Sequence, residues 1–167
     1  MSNKLPLSQK YIDFINTTNV SAEFLEGTTA SGKTTVGAGV KFMRMVSQSP
    51  KKLHAIAAKT TGKAEETIIQ QDNGILDLHR NAVYCGNGDK DYKLPHIKFE
   101  DKIIYILGYS SRDKWEMVLG AQFGCVYIDE INTADIEFIR EMSTRNDYML
   151  ATLNPDEIGR ASCRERV

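Results

Sequence analysis

The chain has 167 residues, of which 41% are hydrophobic and 26% charged, with a formal net charge of -1. That length suits one domain of roughly 100–200 residues, and such a chain buries about 70% of its unfolded surface, enough to fold on an apolar core alone. The near-neutral balance excludes a global basic field for nucleic acid and leaves only a local patch among the 21 Lys and Arg.

From the N-terminus, no apolar leader core is present, and no run approaches the about 18 apolar residues of a membrane helix. Leu7, Tyr11, Phe14 and Ile15 share one helical face, so residues 8–17 predict a short amphipathic helix. Residues 22–26 form an apolar run that stops at Gly27 and predict a strand entering a turn. Residues 33–48 predict a helix with Val36, Val40, Met43 and Met45 as its apolar positions and Pro50 just past its end. Residues 53–58 predict a buried strand, and residues 63–69 a helix continuing towards Leu78. The middle of the chain reads as a β-rich excursion. Residues 82–84, 96–100 and 102–107 are strand candidates, with turn chemistry at Asn87-Gly88-Asp89 and Glu100-Asp101. Residues 112–119 predict a short helix, 125–129 a strand, 135–143 a helix and 148–153 a strand. Strands alternating with helices imply an α/β fold with a mainly parallel central sheet flanked by helices.

Gly27-Thr28-Thr29-Ala30-Ser31-Gly32-Lys33-Thr34 matches the phosphate-cradling pattern G-x-x-x-x-G-K-[ST], with Thr35 following. Its glycines let the backbone curl until successive N–H groups aim at phosphate oxygens, and the loop opens onto the positive end of a helix. Lys33 would reach the β- and γ-phosphates, and the Thr34 hydroxyl would hold Mg²⁺. The bland alternative is a Gly/Thr-rich surface turn with an accidental lysine. Cys125-Val126-Tyr127-Ile128 then leads into Asp129-Glu130, an apolar strand that delivers two carboxylates to the edge where α/β sheets bind ligands. Asp129 would support Mg²⁺ and Glu130 would act as general base on an attacking water; otherwise the pair is a solvated acidic turn. Thr152-Leu153-Asn154-Pro155 ends the last strand, either as a γ-phosphate sensor or as an ordinary strand and turn.

Taken together, LEGTTASGKTT, VYIDEIN and ATLNP resemble the ATPase domain of tailed-phage terminase large subunits, the motors that pump DNA into procapsids. The resemblance covers roughly residues 5–156, and its more specific part is the T-x-N-P that comes after the D-E-x-N strand end. It implies a P-loop NTPase of the RecA-like class, with ATP and Mg²⁺ as cofactors, Glu130 and Lys33 as catalytic residues, and Thr152 and Asn154 as the element coupling hydrolysis to DNA movement. It further implies partnership with double-stranded DNA, the small terminase subunit and the procapsid portal, a homo-oligomeric ring, and the cytoplasm of an infected or lysogenic bacterial host. Gln9 is either an adenine contact or a helix-surface residue, and Lys59 either a family basic position or a solvated lysine. One departure stands out: the loop interior, Thr28-Thr29-Ala30-Ser31, has no arginine, so a finger worth about 10³–10⁵ in rate must come from Arg112, Arg140, Arg145 or a neighbouring subunit.

Terminase large subunits continue into a nuclease domain that is not found in this sequence, so residues 1–156 read as a truncated ATPase domain. Residues 157–167 resemble the in-frame translation of a common sequencing adapter, the alternative being a genuine basic tail. Cys85, Cys125 and Cys163 are far apart, with no CxxC and no nearby His pair; neither a zinc site nor a disulfide framework is expected. His54, His79 and His96 make no metal pattern, and Trp115 beside Lys114 and Arg112 reads as core or as a DNA contact. The competing readings are another P-loop NTPase, such as a helicase fragment or nucleotide kinase, and a non-enzymatic nucleotide-binding module. Strand order discriminates among the enzymes: terminase- and helicase-like ATPases place a strand between the P-loop strand and the acidic strand, whereas simple kinases set them side by side.

Overall fold

The computed structural model describes residues 7–28 and 32–155. Seven strands form one sheet: β1 (Ala22–Glu26), β2 (Leu53–Ala58), β3 (Ala82–Cys85), β4 (His96–Phe99), β5 (Lys102–Gly108), β6 (Phe123–Ile128) and β7 (Asn146–Leu153), in spatial order β1-β7-β6-β2-β5-β4-β3. The pairs β1/β7, β7/β6, β6/β2 and β2/β5 are parallel; β5/β4 and β4/β3 are antiparallel. The β-rich middle of the chain therefore extends the sheet at one edge.

Helix α1 (Gln9–Asn16) is capped by Ser8. α2 comprises Thr35–Phe42, wound as a π-helix, and Met43–Gln48, wound as an α-helix. α3 likewise joins Thr61–Ala64 to a π-helical Glu65–Ile69. It stops short of Leu78, because the chain turns through Asn73 at φ 60° before α4 (Ile75–Leu78) begins. α5 (Arg112–Glu116) gives way to turns before Gly120, at φ 99°. α6 (Ile136–Ser143) is capped by the Asp135 side chain, which accepts from the Glu137 N–H at 2.7 Å.

The central strands are buried on both faces, which is why they read as continuous apolar runs instead of alternating ones. On β2, Ile56 and Ala58 face α2 to α4 with Phe42, Val46 and Ile68, while Ala55 and Ala57 face α5 and α6 with Trp115 and Phe138. Trp115 is thus core, in edge-on contact with Phe138. α2 approaches β1 closely: a Cβ on Gly37 would lie 2.9 Å from Leu25 Cδ1. Lys41 is fully buried in this packing, an expensive position for a charge. Its ammonium is 3.3 Å from Glu23 and donates to the carbonyls of Phe14 and Thr17, so α1 is fastened to α2 and β1 through one side chain.

Candidate functional site

Three parallel strands end side by side at one edge of the sheet. β1 runs into Gly27, β6 into Asp129 and β7 into Asn154. The register Ile128↔Ala151 and Leu25↔Thr152 sets Thr152 between the acidic strand end and the strand that enters the loop. Thr152 is buried, at 2% exposure, and its hydroxyl serves both acids: it donates to Asp129 Oδ1 at 2.9 Å and accepts from the Glu130 N–H at 2.9 Å. A hydroxyl can do both because it carries one donor and two acceptor positions.

Glu130 is held in the left-handed region, at φ 49° and ψ 54°. That conformation costs a non-glycine residue on the order of 1–3 kcal/mol and persists only where neighbours enforce it. Here they do. The Glu130 carbonyl accepts from Thr133 Oγ1 at 2.9 Å and from the Tyr109 hydroxyl at 3.3 Å, while Tyr109 also reaches the Asp129 carbonyl at 3.0 Å. The backbone that carries the two acids is therefore pinned by Thr152 on one side and by Tyr109 with Thr133 on the other.

Burial pushes the Asp129 carboxyl above its ordinary value; hydrogen bonds from Thr152 and Tyr127, and the charges of Lys33 and Lys63, pull it back. Tyr127 is two residues upstream on the same strand face and donates to Asp129 Oδ1 at 3.3 Å. Lys33 donates to the carbonyls of Gly27 and, at 3.0 Å, Leu153, spanning the mouth between the loop and β7. Gly32 sits at φ 80° with open space where a Cβ would stand, so the position requires glycine for its backbone conformation.

These groups line a cleft of ≈ 380 Å³. It collects Gly32, Lys33, Thr34 and Thr35 from the loop and the start of α2, Asp129 and Glu130 from just past β6, Thr152 from β7 and Asn154 from just past its end. Gly27 and Thr28 lie just outside its lining; Thr29, Ala30 and Ser31 lie outside the described residues. The cleft also takes Lys63 and Thr67 from α3 and Gln71 from the turn after it, which the sequence reading passed over. A signal existed: Thr60 caps α3 through the Lys63 N–H at 3.0 Å, directly after β2, whose carboxyl end shares this edge. Lys59 is exposed and does not line the cleft. Gln9 is exposed too, its amide donating to Asp13 at 2.8 Å.

Among the described residues no arginine lines the cleft. Arg112 is paired with Glu116 and Glu137, and Arg145 with Glu141. His54 is a packed histidine: its Nδ1 accepts from the Cys125 N–H at 2.9 Å and its Nε2 meets the Lys51 carbonyl at 3.0 Å.

In this sheet β7 separates β1 from β6. That is the order expected of terminase- and helicase-like ATPases and not of simple nucleotide kinases. The fold is shared with a large terminase. The large terminase of a thermophilic bacteriophage superimposes with a TM-score of 0.67 at 16% identity, covering 89% of this chain and 39% of that one. Its complex with ATP-γ-S gives 0.64 at 16% identity, and its complex with ADP 0.64 at 19%, each over 89% of this chain and 38% of that one. The chain thus spans well under half the length of the terminase it matches. No protein-family model and no curated protein matches the sequence.

Proposed function

We propose that this chain is the ATP-binding and hydrolysing motor domain of a phage DNA-packaging terminase large subunit, at work in the cytoplasm of a bacterial host. Its partners are double-stranded DNA, the small terminase subunit and the procapsid portal, and its assembled form is a homo-oligomeric ring. The observation that carries the reading is the Thr152 hydroxyl, bonded at once to Asp129 and to the backbone of Glu130 beside the Lys33 cleft. The complexes that the thermophilic phage's large terminase forms with ATP-γ-S and ADP support a nucleotide as occupant. Strand order keeps a helicase ATPase as the alternative and disfavours a nucleotide kinase.

Lys33 and the N–H groups of the loop neutralise and orient the phosphates. Thr34 and Asp129 would hold Mg²⁺, which when bound offsets phosphate charge. The donors fit: both are hard oxygens, and Asp129 is a half-buried carboxylate whose ionised form is disfavoured by desolvation. Glu130 takes a proton from water as its oxygen attacks the γ-phosphorus and the bond to the β–γ bridging oxygen breaks, releasing ADP. The fixed backbone at Glu130 aims the base without further reorganisation. Any shift of Asp129 or Glu130 on loss of the γ-phosphate is felt by Thr152 and hence by Asn154 at the end of β7, which is a route from chemistry to movement.

Replacing Glu130→Gln is expected to retain Mg²⁺-ATP binding and abolish hydrolysis, measured with and without double-stranded DNA, the small terminase subunit and procapsids. Stimulation of the parent by those partners supports the packaging motor. Equal hydrolysis by the variant sinks the base assignment, and turnover indifferent to every partner moves the reading to a generic P-loop ATPase.

A further inference from the structure

The sheet edge farthest from the cleft gathers side chains that are scattered in sequence. β3 and β4 pair so that Cys85 stands directly opposite His96. The loop between them, turned at Gly88 (φ 71°), brings Asp89 back to the same spot. The ligand atoms of Cys85, Asp89 and His96 all lie within 4.8 Å of one another.

His96 is the decisive member. It is fully buried. Its Nδ1 lies 2.8 Å from the Leu94 carbonyl, and a carbonyl only accepts, so Nδ1 carries a proton and Nε2 is the ring nitrogen left to hold an ion. That Nε2 is buried with no hydrogen-bond partner among the described residues, and it faces Asp89 Oδ2 at 3.4 Å. A lone pair there would face a carboxylate oxygen out of water, a repulsive arrangement that a proton or a metal cation between the two atoms relieves. The carboxylate is also prearranged. Asp89 Oδ1 accepts from the N–H groups of Asp91 (2.9 Å) and Tyr92 (2.7 Å), which leaves Oδ2 for His96 and for Lys98, whose ammonium is 2.5 Å away.

We propose that Cys85, Asp89 and His96 bind a divalent metal of the zinc class through Sγ, Oδ2 and Nε2, with a fourth position left to water. Thiolate with imidazole selects Zn²⁺ over the hard cations Mg²⁺ and Ca²⁺. Bonds of about 2.0–2.3 Å in a tetrahedron put ligand atoms roughly 3.3–3.8 Å apart. His96 and Asp89 already have that spacing, and Cys85 needs only a small adjustment. The Nδ1–H bond to a backbone carbonyl is the support that metal-ligating histidines ordinarily have. Thiolate and carboxylate together neutralise the ion; the Cys85 thiol releases its proton on binding, and the half-exposed Lys98 moves out into solvent. Such a site would staple the β3–β4 loop over an edge strand that is otherwise open to pairing. It stands apart from the ATPase reading and does not depend on it.

The test uses the chain carrying Cys163→Ser, so that the tail thiol cannot contribute, titrated with Co²⁺ and then Zn²⁺. The expected result is about one equivalent of metal per chain, a sulfur-to-cobalt charge-transfer band that Zn²⁺ abolishes, and a Zn²⁺-dependent rise in Tm. Cys85→Ser, Asp89→Asn and His96→Gln should each weaken binding by at least about tenfold. Lys98→Ala, which removes a competing cation and no ligand, should tighten it. Glu130→Gln should bind metal as the parent does. Absence of the charge-transfer band, or an unchanged Zn²⁺ response in His96→Gln or in Lys98→Ala, overturns the proposal and leaves Asp89 as the centre of an ion-pair cluster with Lys98 and a protonated His96.

Discussion

Replacing Thr152→Val keeps the shape of the side chain and removes its oxygen. Two part-buried bonds are lost together: the one donated to Asp129 Oδ1 and the one accepted from the Glu130 N–H, each 2.9 Å long. A buried N–H left without a partner costs about 1–3 kcal/mol, and a hydrogen bond to a charged group contributes roughly 1.5–3 kcal/mol. Because Asp129 keeps Tyr127 as a second donor, the combined loss is about 3 kcal/mol, equivalent to a fall in Tm of roughly 6–12 °C for a domain of this size. The effect on chemistry should exceed that on binding. Glu130 stays in the left-handed region only while its backbone is pinned on both sides; without Thr152 it can relax, and the carboxylate loses its aim. A positioned base contributes about 10²–10⁴ in rate, so single-turnover hydrolysis of Mg²⁺-ATP should fall by at least ~10²-fold. Affinity for a fluorescent ATP analogue should stay within about threefold, under ~0.7 kcal/mol. Thr152→Ser retains the oxygen and should recover most of the rate. A Val variant that melts and turns over like the parent refutes the role of the hydroxyl as the link between the acids and β7.

Lys63→Ala should lower hydrolysis by about 10²-fold, as removal of a donor aimed at transferring charge does, and should weaken ATP more than ADP in direct binding measurements. Asp129→Asn should raise Tm at pH 7 by a few degrees, because burial works against the ionised carboxyl, while abolishing Mg²⁺-dependent turnover. His54 is fully buried, and burial lowers its pKa from 6.5 to about 4. The folded state therefore binds fewer protons than the unfolded chain between those values. Its contribution is complete above pH 6.5 and is lost as the pH falls towards 4, amounting to about 2–3 kcal/mol once some solvent screening is allowed for. Urea unfolding across that range should show the loss, and His54→Asn should flatten it. The raised pKa of Asp129 acts in the opposite direction, stabilising the fold as the pH falls, so the comparison is cleanest in the Asp129→Asn background.

The parallel half of the sheet was legible because its chemistry depends on strand direction. Parallel strands all end at one edge, so Gly27 after β1, Asp129 after β6 and Asn154 after β7 had to converge once those runs were read as strands. The expected bounds of β1 and β2 agree with the structure, and those of β6 and β7 fall short by two residues at their starts, where Phe123 and Asn146 begin the pairing. What spacing could not supply was the partner of each residue. Thr152 sits in the coupling segment implied by resemblance, but its double bond to Asp129 and Glu130 depends on the register of β6 against β7, and that register is set by packing on both faces. Lys63 escaped notice for a similar reason: it reaches the cleft from a helix whose start is a cap, and no glycine-rich pattern marks it.

Lys41 and His96 show the other limit. On periodicity alone, Lys41 belongs on the wet side of an amphipathic helix. It is buried because α1 folds back over α2 and supplies the carbonyls of Phe14 and Thr17 for its ammonium, with Glu23 from β1 for its charge. Cys85, Asp89 and His96 looked unrelated because no short repeat of ligands joins them, and the expectation of no metal pattern rested on that spacing. Antiparallel pairing brings together residues at any separation that the intervening loop allows, and a cross-strand pair with a returning loop acid is one such result. The two ends of the sheet thus differ in what sequence can reveal. Where strands run parallel, chemistry is delivered by the residues just past each strand's end, and a motif reader finds it. Where they run antiparallel, chemistry is delivered by the residue standing opposite, and only the register shows it.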